Sequence, residues 1–167
     1  HVPNFTHISP VQATAAEARR RLGGRDDRFM VVHTGNMGAK QGLHHVIDAA
    51  RMSFDAGDGV QWVFVGDGNQ RRLLEQRAAG LDNVTFVDPL CDDDYPYALA
   101  AADVLLLHEN PGVREFCFPS KLTSYVVGRP PVLAATQSGS VTHRALTRTP
   151  VAHLEGPRGV QGLLQGV

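Results

Sequence analysis

Five short apolar runs punctuate the chain without a regular polar alternation: Phe29–Thr34, Val60–Val65, Val84–Val87, Val104–Leu107 and Val132–Ala135. Strands that are apolar throughout are covered on both faces, as in a parallel sheet sandwiched between helices. The stretches between them change period. Leu43, Val46, Ile47, Ala50 and Phe54 recur at helical spacing, Leu73, Leu74 and Ala78 mark a second helix, and Tyr95, Ala98, Leu99 and Ala102 follow i, i+3, i+4, i+7. Pro119 and Ser120 open a further helix carrying Leu122, Tyr125 and Val126. Buried strands alternating with amphipathic helices give right-handed crossovers, so the expected fold class is α/β: a Rossmann-like parallel sheet flanked by helices.

The two ends read differently. Residues 1–28 are expected to be an interdomain segment and lead-in, with residues 29–167 forming the Rossmann-like domain. Within the lead-in, Thr14 and Glu17 have capping-box spacing ahead of a short helix over 15–22, and Gly23 to Asp27 reads as a turn. His1 to Phe5 does not read as a native start, so a preceding segment is expected. Residues 137–167 depart from the rhythm. Gly156, Gly159, Gly162 and Gly166 interrupt what should be a closing helix, each interior glycine costing about 1 kcal/mol relative to alanine, so poor order is expected over 145–167.

At 167 residues the chain holds one ordinary domain. A 43% apolar composition and a formal net charge of −1 argue against disorder and against a nucleic-acid partner. Cys91 and Cys117 form no CxxC, which suits reduced thiols in the cytoplasm. Of the eight histidines only His44 and His45 are neighbours, and a helix points them roughly 100° apart, so no metal is expected. No apolar run approaches the ~18 residues of a membrane span, and peripheral association with the inner membrane would have to come from the rest of the protein.

Ligands of an open parallel sheet bind beyond the carboxyl ends of its strands. The first such loop is Gly35-Asn36-Met37-Gly38-Ala39-Lys40-Gln41-Gly42, whose glycines permit close backbone approach and whose following helix start can hold an anion. It is neither a Walker A loop nor a G-x-G-x-x-G fingerprint, which disfavours kinase and dinucleotide roles. The second, Gly66-Asp67-Gly68-Asn69, begins like that fingerprint but has Arg71 where the third glycine belongs. The third runs from Asp88, Pro89 and Leu90 through Cys91 to Asp92–Asp94, acidic residues placed to cap the next helix. Beyond the fourth strand come His108 to Gly112 and then Glu115-Phe116-Cys117-Phe118-Pro119-Ser120-Lys121-Leu122. A hydroxyl, a cation and free amides at one helix start suit a diphosphate.

These stretches, in this order, resemble the C-terminal domain of the large retaining glycosyltransferase family four, of GT-B fold, nearest its colanic-acid or exopolysaccharide type. The resemblance rests on Thr34–Gly38 with Gln41–Leu43, Phe64–Gly68, Asn83–Phe86, Ala101–Val104 and Pro119–Tyr125, together with Val2-Pro3-Asn4, which is similar to an interdomain I-P-N segment. It implies a donor site for the nucleoside diphosphate of a UDP- or GDP-sugar, facing an acceptor domain absent here, and a chain inactive alone. It implies diphosphate contacts from Gly35–Gly42 and Ser120-Lys121, a place near the donor sugar for Glu115, a base contact near Leu90, and no metal or other cofactor.

Departures accompany the match. Asn36 and Gln41 stand where many members carry arginine and lysine, leaving Lys40 or Lys121 to neutralise charge. The second acid of the E-x7-E signature is missing, its place falling at Thr123 or Ser124 by two ways of counting. Two other readings share the scaffold: a nucleotide-sugar 2-epimerase, which would release epimerised sugar without acceptor, and a non-catalytic nucleotide-binding module. A phospho-receiver domain is set aside, because its first strand should end in acids and here ends His33-Thr34-Gly35.

Overall fold

A computed structural model describes residues 13–110, 124–125, 130–147 and 152–155. Helix α1 (Ala15–Arg21) precedes strand β1 (Phe29–Thr34), a 3₁₀ turn (Ala39–Gln41) and α2 (Leu43–Ala56). Then follow β2 (Val60–Val65), α3 (Arg71–Arg77), β3 (Val84–Val87), α4 (Tyr95–Ala101), β4 (Val104–His108), β5 (Val132–Ala135), α5 (Val141–Leu146) and β6 (Ala152–Glu155). All six strands are parallel, in the order β3-β2-β1-β4-β5-β6. The expected α/β class and its five strands are present, β4 running one residue further than the apolar pattern suggested.

The sixth strand corrects the reading of the tail, where no element was expected. Residues 152–155 pair with β5 in register Val132↔Ala152 to Ala135↔Glu155. As an edge strand, Ala-His-Leu-Glu needs no continuous apolar run, and it lies ahead of Gly156, Gly159, Gly162 and Gly166. Those glycines, from 156 on, lie outside the described residues.

Successive strand residues point to opposite faces. Val32, Val63, Leu105 and Leu107 pack with Ala18 and Leu22 of the α1 region and with Ala98, Leu99 and Tyr125. Val31, Trp62, Phe64 and Leu106 face α2 and α3 through Val46, Ile47, Ala50 and Leu74 on the other side. Phe54 and Leu73, expected among the apolar helix positions, are instead 41% and 57% exposed.

Helix α1 starts in the capping box that its sequence announced: Thr14 accepts from the Glu17 amide, and the Glu17 carboxylate accepts from the Thr14 amide. The hydrogen bonds of this box hold the Glu17 carboxyl below its ordinary pKa. The helix docks on α4 through the buried Arg19, whose Nε donates to the Ala101 carbonyl and whose Nη2 meets Asp103 Oδ2 at 2.6 Å. The same Asp103 oxygen accepts the Met30 amide at 2.7 Å, tying α1 to the first residues of β1. Asp103→Asn keeps an acceptor for Met30 but removes the charge facing Arg19. It is expected to lower stability by about 1–2 kcal/mol, read as a lower urea midpoint at unchanged slope.

Candidate functional site

Chain order reverses between β1 and β4: β2 and β3 lie to one side of β1, and β4, β5 and β6 to the other. Such a switch point is where an open α/β sheet leaves a crevice beyond its carboxyl ends. Here the crevice is widened within the sheet itself. The β1–β4 ladder ends at Val32↔Leu105, whereas β1–β2 continues to Thr34↔Val65. Above the gap stands the first loop.

That loop is clasped from both flanks. On the β2 side, Gly35 donates to the Val65 carbonyl (2.7 Å), Met37 to Asp67 (2.8 Å), and Gln70 back to Met37 (3.0 Å). The approach is so close that a Cβ on Gly66 would lie 2.2 Å from the Gly35 carbonyl oxygen, and one on Gly68 2.6 Å from Met37 backbone. On the β4 side, the Asn110 amide donates to the Lys40 carbonyl (2.8 Å), and the buried His108 donates from Nδ1 to the Gln41 carbonyl (2.7 Å). Gly42, at φ +58, turns the chain from the 3₁₀ turn into α2 with Asn110 pressed against it. Beneath the loop, Met37 is fully buried.

The sites expected from sequence are thus partly brought together. Gly35, Asn36, Gly38, Lys40, Gln41 and Gly42 share one loop, zipped to Gly66, Asp67 and Gly68. Gly35, Asn36, Lys40 and Asp67 are exposed at its rim. Several groups expected to face a ligand turn inward: Gly35, Met37, Gly38, Gln41 and Gly42 donate their amides to the protein itself, and the Gln41 side chain accepts from Gly38 (3.1 Å). Gly66 and Gly68 meet the first loop rather than open space. Leu90 follows β3, two strands from β1, and packs on the α1/α4 side of the core. Glu115, Pro119, Ser120, Lys121 and Leu122 lie outside the described residues.

The third loop corrects its expected role. Asp94 occupies the N-cap position of α4 but makes no side-chain capping bond, because it sits in helical backbone. Its carboxylate pairs with Arg21 at 3.0 Å and accepts from the Cys91 thiol. Asp88 pairs with Arg71 at 2.7 Å, and Arg71 also binds Glu75 and the Gly66 carbonyl (3.0 Å). The residue that spoils the dinucleotide fingerprint is therefore the brace between the second and third loops. Its carboxylate partners, Glu75 foremost, raise the guanidinium's pKa further.

A buried hydroxyl network underlies the crevice, and nothing in the sequence pattern announced it. Tyr125, on a helical residue pair with Ser124, is fully buried. Its hydroxyl oxygen lies 2.9 Å from the Thr34 amide, 3.1 Å from Thr34 Oγ1 and 3.4 Å from the Leu106 carbonyl oxygen. Thr34 Oγ1 also meets the Tyr95 hydroxyl at 2.9 Å. Burial raises the Tyr125 pKa far above that of an ordinary phenol, so it stays protonated.

Behind the loop, between α2 and α3, lies a separate hollow of about 320 Å³ bordered by Gly38, Ala39, His44, Leu73 and Arg77. Burial, with help from His45 and Arg77, lowers the His44 pKa. Among the described residues no three His, Cys, Asp or Glu side chains are grouped to hold a metal, and no helix is long and apolar enough to cross a membrane.

The Glycosyl transferases group 1 family matches residues 28–146. The chain belongs to that family. Among curated relatives, WcaI of Escherichia coli (strain K12), named as a colanic acid biosynthesis glycosyl transferase, is 29% identical over 169 residues, covering 99% of this chain and 40% of the relative. The 2-deoxystreptamine glucosyltransferase of Streptomyces kanamyceticus is 31% identical over 77% of this chain and 34% of its own length. The chain therefore spans about two fifths or less of these relatives. Solved structures share the fold. Anabaena Alr3699/HepE, crystallised with UDP and glucose, superposes with a TM-score of 0.70 at 23% identity, over 90% of this chain and 40% of that one. The C-terminal domain of the group 1 protein LpcC from Francisella tularensis gives 0.64 at 16% identity, over 95% and 82%. This group 1 domain has the architecture of one Rossmann-like half of a GT-B glycosyltransferase.

Proposed function

We propose that this domain is the donor half of a retaining glycosyltransferase that builds a surface or exopolysaccharide from a nucleotide-sugar. The carrying observation is the β1/β4 crevice roofed by a loop clasped on both flanks, in a chain of a glycosyl transferase family. The nucleoside diphosphate of a UDP- or GDP-sugar lies along this crevice. Exposed Asn36 and Lys40 reach it from the rim, while Ser120 and Lys121 supply a hydroxyl, amides and a cation at the following helix start. Negative charge grows on the diphosphate as the glycosidic bond breaks, and fixed donors stabilise it without reorganising. Glu115 stands beside the donor sugar, Leu90 borders the base, and the acceptor is held by an N-terminal domain across the cleft. The enzyme works in the cytoplasm, at the inner membrane where its acceptor is lipid-linked.

Calorimetry on this chain tests the reading with UDP, GDP and ADP. Saturable heat is expected for at least one diphosphate, and no sugar transfer. A folded chain that gives no heat with any of the three sinks the proposal. Binding is further expected to survive EDTA with an unchanged dissociation constant, because protein cations rather than a metal neutralise the phosphates.

A further inference from the structure

We infer that the Tyr125 hydroxyl is a spacer that holds β1 and β4 apart at their carboxyl ends and thereby positions the two walls of the crevice. In a parallel ladder, the pairing Val32↔Leu105 is followed by a bond from the Thr34 amide to the Leu106 carbonyl. That pairing is absent, and the Tyr125 oxygen occupies its place, 2.9 Å from the Thr34 nitrogen and 3.4 Å from the Leu106 oxygen.

The proton order is fixed by the partners. Thr34 donates to Tyr125 from both its amide and its Oγ1, so the single Tyr125 proton goes to the Leu106 carbonyl, which His33 Nδ1 also approaches at 3.3 Å. With its own proton engaged, Thr34 Oγ1 accepts from the half-buried Tyr95. One phenol thus satisfies both backbone groups that the split leaves behind, as buried polar groups require. Directly above Thr34 begins the Gly35–Gly42 loop, and two residues beyond Leu106 stands His108, which holds that loop's far end at Gln41. The width of the split sets where the roof sits over the crevice. The role in ligand binding rests on the donor-site reading; the spacer role does not.

The test compares Tyr125→Phe with the parent chain. Scalar coupling across a hydrogen bond, from the Thr34 nitrogen to the Leu106 carbonyl carbon, should be missing in the parent and present in Tyr125→Phe as the ladder closes. UDP affinity should fall about tenfold, the scale of a sub-ångström misplacement of contacts. Asp103→Asn, also destabilised but remote, should keep the parent's affinity. If Tyr125→Phe shows no such coupling, the spacer is refuted. If the ladder closes and UDP affinity is unchanged, the positioning role is refuted. A parent that binds none of UDP, GDP and ADP sinks the donor reading alone, since the coupling still judges the spacer; a parent that binds GDP or ADP instead of UDP is compared with Tyr125→Phe on that diphosphate. Should Tyr125→Phe not fold, the parent's buried hydroxyl proton decides: a nuclear Overhauser contact with the Thr34 amide is required, and its absence refutes the spacer.

Discussion

Gly66→Ala is expected to destabilise the chain by about 3–5 kcal/mol, combining a strained backbone with overpacking. Two costs coincide at this position. Its φ of +133° is rarely adopted by an L side chain, and the added methyl would lie 2.2 Å from the Gly35 carbonyl oxygen, which is backbone and cannot swing aside. Gly57 separates the two terms. It also has positive φ, +67°, but nothing lies within 4 Å of its would-be Cβ, so Gly57→Ala should lose only about 1 kcal/mol. Urea unfolding of both variants measures the difference. A Gly66→Ala loss as small as that of Gly57→Ala would show that the two loops do not press together as described. The effect should extend to function, because the only relief is to lift Gly35–Met37 away from β2, and those residues begin the roof of the crevice. Surviving folded Gly66→Ala should therefore bind UDP more weakly than Gly57→Ala does.

Most of the fold was legible because burial on both faces leaves a one-dimensional trace. Val60–Val65 or Val132–Ala135 needs no partner to be recognised as a covered strand. An edge strand such as Ala152–Glu155 leaves no such trace, and the glycines beyond it pulled the reading toward disorder. The site divides along a similar line. Glycine-bearing loops after apolar runs can be found from spacing, but spacing cannot tell a glycine that admits a ligand from one that admits another loop. Gly66 and Gly68 are of the second kind, and only the approach of Gly35 and Met37 reveals it. The bracing side chains were invisible for a related reason. Arg71 acts on Asp88, and Tyr125 acts on Thr34, 91 positions away. Such partnerships are set by crossovers between strands, not by any local period. Asp94 shows the reverse error: its position favoured a cap, but Arg21 of α1 competes for its carboxylate.

Lys121→Ala in the full-length protein should separate catalysis from folding, because the two effects have opposite signs. From its sequence Lys121 is expected in a first helical turn, where a cation opposes the helix dipole; on that expectation its removal should leave stability unchanged or raise it by about 0.3–1 kcal/mol. If its ammonium instead meets the leaving diphosphate, its loss removes a fixed charge from the developing negative centre, a defect worth about 10²–10³ in rate. The measurement is release of nucleoside diphosphate from the nucleotide-sugar by the full-length protein, with the melting temperature taken on the same sample. Lys40→Ala provides the contrast. Lys40 sits exposed on the loop rim, where its carbonyl accepts the Asn110 amide. Its loss should weaken donor binding through KM and leave kcat within about threefold, as for an interaction equal in ground and transition states. The assignment fails if Lys121→Ala turns over within about threefold of the parent, and it passes to Lys40 if the two variants exchange behaviours.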